Sequence, residues 1–259
     1  MASAFAELAR AGGRAYVVKP YSEFMPSATH DARIREVLSG ADLCLANGVG
    51  ILWVAHYQAL PGGPLRALAQ LSLSLAAIVF NPAAIRRPLK GEHGWRGPDL
   101  GDAGPYGRGR LANLPAGGHG GGGVGRERAD RSAVRRVAGT YSGHFDSSGE
   151  ENETVLRAIN EAQPEVLLVA MGFPRQENWI AANLPRLQVN VAVAEGGSFS
   201  FISGLTPRAP RWLRRLGLEW LYRLARQPWR LHRQLAIPRF VWLVVRERLR
   251  KETYRKKSV

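Results

Sequence analysis

The chain has 259 residues, 45% of them hydrophobic, and its 36 Lys plus Arg against 21 Asp plus Glu give a net charge of +15. That length suits one large domain, or one domain with an appendage. The single cysteine, Cys44, excludes an internal disulfide and fits a reducing compartment, and the opening MASAFAELARAGGRAYVV has neither the basic start nor the long apolar core of a signal peptide.

In chain order, short β-rich runs alternate with helix-like segments. AYVV (15–18) precedes a helical stretch over 21–38, and LCLA (43–46) precedes one over 49–58. The longest apolar run, ALAQLSLSLAAIVF (67–80), contains Gln70, Ser72 and Ser74 and is too short to span a bilayer. It reads as a helix packed on the protein or lying in a membrane interface. VLLVAM (166–171) precedes a helix over 175–184, and VNVAVA (189–194) precedes a glycine-rich turn at 196–197. Continuous apolar strands alternating with helices predict a parallel sheet covered on both faces. Ligands of such sheets bind beyond the carboxyl ends of the strands. Those ends carry NGVG (47–50), GFPRQE (172–177) and EGGSFS (195–200), the glycine-bearing turns of a nucleotide-type pocket.

After RAP (208–210) the pattern becomes helical, punctuated by Pro228 and Pro238. Residues 205–259 hold 16 Lys and Arg against three acids, so this fifth of the chain carries +13 of the charge, together with four of the seven tryptophans. Such a tail suits nucleic acid, anionic lipid or a phosphate-bearing ligand. Arg223, Arg226, Arg230 and Arg233 form one face if the helical phase survives Pro228.

The stretches VLLVAMGFPRQENWIAANLP (166–185) and GGSFSFISGLTPRAPRWLRRLGLEWLYRLARQPWRLHRQL (196–235), with ADLCLANGVGILW (41–53) and GTYSGHFD (139–146), resemble the WecG/TagA/CpsF glycosyltransferases. The resemblance covers about residues 14–60 and 137–240. It implies an α/β, Rossmann-like parallel sheet with helices on both faces (residues 1–204) and a basic, Trp-rich helical C-terminal appendage (205–259). It also implies an inverting, metal-independent and cofactor-free enzyme that moves an N-acetylmannosamine-type sugar. The donor is a UDP-sugar and the acceptor a polyprenyl-diphosphate-linked GlcNAc, in teichoic-acid-like or other cell-surface polysaccharide synthesis. The place it implies is the cytoplasmic face of a bacterial plasma membrane, held peripherally to anionic lipid through 205–259, with Arg246 to Lys257 facing the headgroups. No nucleic acid is expected, and a homo-oligomer stays open.

Carried onto this sequence, the substrate-binding positions are Gly48, Gly50, Gly172, Pro174, Gln176, Glu177, Gly196, Gly197, Ser200, Arg208, Glu219, Arg223, Arg230 and Arg233. The last three suit the diphosphate, through forked hydrogen bonds and by stabilising charge on the leaving UDP. Gln176 and Glu177 hold the donor; read without the resemblance, they are a helix start with an acid in its first turn. The catalytic positions are Asn47 and Lys19. Asn47 stands where the family commonly has the aspartate expected to act as general base. Lys19-Pro20-Tyr21 replaces T-P-N, and Ser200 replaces the aspartate of G-G-x-F-D. Three readings remain: another base (Glu195 or Glu23), proton removal by water or donor phosphate, or lost catalysis.

Residues 93–136 break the pattern. The family expects E-R-V-x-G-x-D-L, a helix, and a strand ending L-L-G-G. This chain gives GEHGWRGPDL (91–100) and then a stretch, 101–125, in which 11 of 25 residues are glycine. Codons allowed for residues 110–119, read one base later, include the series G-W-R-I-Y-L-L-G-G. Shifted translation over about 93–96 and 101–136 is therefore one reading, and a flexible insertion the other. No G-x-x-x-x-G-K-[ST] supports a phosphate loop. With this sequence the sheet is expected to lose a central strand and to be marginally stable. The alternative function is a catalytically impaired, membrane-associated remnant of such an enzyme.

Overall fold

A computed structural model of the chain describes residues 12–86, 110–115, 136–142, 144–195, 218–226 and 235–257, with short pieces at 7–8, 209–210, 213, 228 and 231. The chain divides into two compact units interleaved in sequence.

The first unit comprises residues 1–19, 33–45 and 96–207. Its strands are β1 (Ala15–Val18), β2 (Leu43–Cys44), β3 (Arg110–Pro115), β4 (Arg136–Thr140), β5 (Val166–Ala170) and β6 (Val191–Ala194). They form one sheet in the order β2-β1-β6-β5-β3-β4, and every pair is parallel. Every residue of β1, β5 and β6 is buried. That explains their unbroken apolar composition: a parallel strand with helices on both faces has no solvent side on which to place polar residues. Helix α2 (Ala32–Ser39) buries Ile34. Helix α6 (Glu150–Ala162) buries Val155, Leu156 and Ile159, has three acids in its first turn, and ends at a left-handed Gln163. Helix α7 (Arg175–Asn183) follows β5 and packs on β1, β5 and β6.

The expected loss of a central strand is not what the structure shows. Residues Arg110–Pro115, inside the anomalous stretch, supply β3, which lies between β5 and β4. Its register runs Leu111↔Val166 to Pro115↔Ala170 on one side, with a shift between Leu111 and Ala112 on the other. RLANLP can fill this place because a parallel strand asks of the backbone only an extended chain with free donors. Its one proline is the last residue, where loss of an N–H interrupts the ladder least. The remainder of 93–136, apart from Arg136, lies outside the described residues.

The second unit comprises residues 20–32, 46–95 and 208–259. It is helical: α1 (Phe24–His30), α3 (Val49–Ala59), α4 (Pro64–Phe80), α5 (Pro82–Arg86), α8 (Glu219–Arg226) and α9 (Ala236–Lys257). Leu52, Trp53 and Tyr57 of α3, Ile85 of α5, and Phe240 and Val244 of α9 form its core. Trp53 stacks on Tyr57 at 5.3 Å between ring centroids. Pro238 does not break α9, because it falls in the first turn, where the missing N–H has no partner to lose. The sequence-based boundary at 204/205 lies close to Pro207, where the chain leaves the first unit, but residues 20–32 and 46–95 group with the tail.

Candidate functional site

In the first unit, the carboxyl ends of three adjacent strands bring together a set of buried polar groups. β1 and β6 are in register at Val17↔Val193. Two residues further along each strand, Lys19 and Glu195 meet in an ion pair with both side chains almost fully buried. Burial pulls the Lys19 ammonium below its ordinary pKa, against the upward pull of Glu195. The sequence treated Lys19 as catalytic and Glu195 as a substitute base; the structure makes them partners.

At the end of β5 the chain turns through Gly172, whose φ of +84° is strained for any residue with a Cβ. A cis peptide joins Phe173 to Pro174, and α7 begins at Arg175. Gln176 closes the turn: its Oε1 accepts from the Gly172 N–H at 3.1 Å, and its Nε2 donates to Glu177 Oε1 at 2.8 Å. Gln176 and Glu177 are 3% and 2% exposed, too buried for the solvent-facing acid of an ordinary helix start. Burial raises the Glu177 carboxyl from 4.5 to about 7. Its other oxygen, Oε2, has no hydrogen-bond partner among the described residues, and neither does the buried hydroxyl of Tyr16 on β1. The Tyr16 hydroxyl is raised by burial and then by the charge of Glu177. Tyr16 was missed in the sequence; its signal is one polar atom within the apolar run AYVV.

Two further motif residues are structural. Trp179 donates from Nε1 to Asn152 Oδ1 at 2.7 Å and meets Phe145 edge-on at 6.1 Å, fixing α7 against α6 and the 139–146 block. Asp146 caps its own turn, accepting from the Ser148 N–H and hydroxyl at 2.9 and 2.7 Å. A cleft of about 340 Å³ lined by Arg14, Gln163, Glu165 and Asn190 lies at the amino ends of β1, β5 and β6, away from these groups.

In the second unit, the Asn47 N–H donates to the Pro20 carbonyl at 3.2 Å. Gly48 precedes α3 with φ +82°. A Cβ at Gly50 would come within 3.3 Å of Ser22 and 3.5 Å of Phe240, so glycine there permits close packing. Arg248 is a correction. It was expected to face lipid, but it is 2% exposed and donates to the carbonyls of Tyr57 and Leu60 and to Gln70 Oε1, at 2.6, 3.0 and 2.6 Å. It ties α9 to the corner between α3 and α4, because a buried guanidinium is held only where its donors are satisfied. Gly196, Gly197, Ser200, Arg208, Arg230 and Arg233 lie outside the described residues. Glu219 and Arg223 belong to α8, with side chains outside them.

The model of the glycosyl transferase WecG/TagA/CpsF family matches residues 126–254, from β4 through α9. Over that stretch the chain belongs to this family. A Bacillus subtilis (strain 168) relative named N-acetylglucosaminyldiphosphoundecaprenol N-acetyl-beta-D-mannosaminyltransferase is 35% identical over 129 residues, 48% of this chain and 50% of the relative. A protein of the same name from Staphylococcus aureus (strain MW2) is 33% identical over 107 residues, 41% of this chain and 42% of its own. One from Bacillus spizizenii is 28% identical over 233 residues, 90% of this chain and 79% of its own. The chain thus spans about half the length of the first of these curated relatives. The family stretch contains the Gly172–Gln176–Glu177 turn and Glu195, whereas Lys19 and Asn47 precede it.

Proposed function

We propose that this chain is a glycosyltransferase that moves an N-acetylmannosamine-type sugar from UDP to a polyprenyl-diphosphate-linked GlcNAc. The observation that carries the proposal is the Gln176–Glu177 turn: within the family stretch, at the end of β5, it holds a buried carboxyl oxygen without a partner among the described residues. The names of the relatives supply the acceptor class. In the transfer, an acceptor hydroxyl oxygen bonds to the anomeric carbon from the face opposite UDP. The bond from that carbon to the diphosphate oxygen breaks, and UDP keeps the electron pair. The hydroxyl proton goes to a base. Gln176 and Glu177 orient the donor, with Glu177 able to donate or accept a hydrogen bond near neutral pH. Arg223, Arg230 and Arg233 take the diphosphate charge, without a metal. Among the described residues no helix is long and apolar enough to cross a membrane; the protein meets its lipid-linked acceptor as a peripheral protein, at the cytoplasmic face.

The test is acceptor-dependent release of UDP from UDP-N-acetylmannosamine, using a GlcNAc-diphosphate on a short polyprenyl chain. Activity that persists in chelator and falls at least about tenfold in Glu177→Ala supports the reading. Absence of release with any UDP-N-acetylhexosamine rejects it. Asn47, which has no usable basicity, favours a second reading, the impaired remnant. In that case the wild type binds donor without turnover and Asn47→Asp gains activity, by about 10²-fold or more if a general base is restored. Equal or lower activity in Asn47→Asp means the proton leaves by another route.

A further inference from the structure

The outer face of α4 carries none of the residues assigned above to the transfer. Trp53 Nε1 donates to Ser74 Oγ at 3.0 Å, and Ala67 and Ser74 are buried, which fixes the helix's rotation. The opposite face is therefore held outward. It carries Leu65, Leu68, Leu73 and Phe80 at 85, 51, 72 and 84% exposure, with exposed Ala69, Ser72 and Ala76 between them. Over 17 residues, about 25 Å, this is a continuous apolar stripe.

The chemistry around it selects the occupant. Residues 43–91 contain no Asp or Glu, and the exposed Arg66 sits in the first turn of the helix. On α9, in the same unit, Trp242 is 57% exposed, with the Arg246 guanidinium 5.2 Å from its ring centroid. An apolar stripe with an arginine at its start and no acid, in the same unit as an exposed Trp–Arg pair, matches an anionic bilayer surface: acyl chains take the leucines, and headgroups take the arginines and the indole. We infer that α4 lies in the plane of an anionic membrane with Leu65, Leu68, Leu73 and Phe80 inserted among the acyl chains, so that the chain is held by burial as well as by charge. This deepens the membrane-surface part of the proposed function and rests on it, but its readout is independent of turnover.

The experiment is flotation of the full chain with phosphatidylcholine vesicles, with and without about half phosphatidylglycerol, at low salt and at about 0.5 M salt, where charge is screened. Wild type should retain part of its binding at high salt. The variant Leu65→Ser, Leu73→Ser, Phe80→Ser should bind at least about tenfold more weakly and lose that salt-resistant part, with an unchanged thermal melt. Arg246→Gln should weaken only the low-salt binding. As a second readout that leaves the stripe largely intact, an environment-sensitive fluorophore on Leu73→Cys in a Cys44→Ser background should shift to the blue on adding anionic vesicles. Wild-type binding abolished by salt, or an unshifted fluorophore, overturns the inference and leaves the transferase reading standing. So does a triple variant that binds as wild type; if light scattering also shows it turning from dimer to monomer, the stripe joins two copies of the chain. Vesicle binding as described without any UDP release would sink the transferase and keep the inference.

Discussion

Glu177 shows how much one buried carboxyl decides. Its ordinary pKa of 4.5 is raised to about 7, mainly by burial. The folded state therefore holds a proton that the unfolded state releases between those values, so stability declines as pH rises from about 4.5 to about 7 and is flat beyond. The full swing is on the order of 3 kcal/mol. Glu177→Gln cannot titrate, so its melting temperature relative to wild type should be higher at pH 8 than at pH 4.5; an equal difference at both would mean that the carboxyl is not buried. Lys19 and Glu195 form a second buried centre. Lys19→Met alone leaves a buried carboxyl without its partner and should cost about 3–5 kcal/mol. Adding Glu195→Leu should recover most of that loss. If the two losses simply add in denaturant titrations, the residues do not interact in the folded protein.

At the scale of elements, β3 is the least expected finding. AYVV and VLLVA are legible as strands because unbroken apolar runs leave few alternatives, and β1 and β5 lie where those runs predict. RLANLP carries no such pattern, and its place is set by its partners. β5 and β4 each offer a row of backbone donors and acceptors that must be matched. Amide exchange reports on this directly. The amides of Leu111 to Leu114 should exchange as slowly as those of Val166 to Val169, and coil-like exchange would mean that the sheet is parted between β5 and β4. Helix α4 makes the converse point. Its sequence allowed packing on the protein or lying in a membrane interface, and the bond between Trp53 and Ser74 selects which face is buried.

For the whole molecule, interleaving of the two units governs what can be removed. Phe240 and Val244 of α9 complete the core around Trp53 and Tyr57, and Arg248 satisfies the carbonyls at the end of α3. A chain ending at residue 207 should therefore lose more than a tail. Trp53 and Tyr57 would meet water, Trp emission should shift to the red, and the truncated protein should aggregate or bind a hydrophobic dye. A truncated protein with native emission and a sharp melt would show that residues 46–95 fold without α9.

The parallel α/β architecture, the basic tail and the family motifs were all legible in the sequence, because apolar runs, charge and turn glycines are local properties. The Gln176–Glu177 turn was placed correctly on the helix after Pro174. The ion pair of Lys19 with Glu195, 176 residues apart, was not legible, since it exists only because β1 and β6 are neighbours. Nor was the burial of Arg248 among exposed arginines of the same helix, or that of the Tyr16 hydroxyl and Glu177 Oε2, which have no hydrogen-bond partner among the described residues. The sequence by itself determined most of the strands and helices, β3 excepted, and which chemistry they carry. Only the tertiary structure decided which charges lose their water and which partners they find, because desolvation depends on what packs against a side chain and not on its neighbours in the chain.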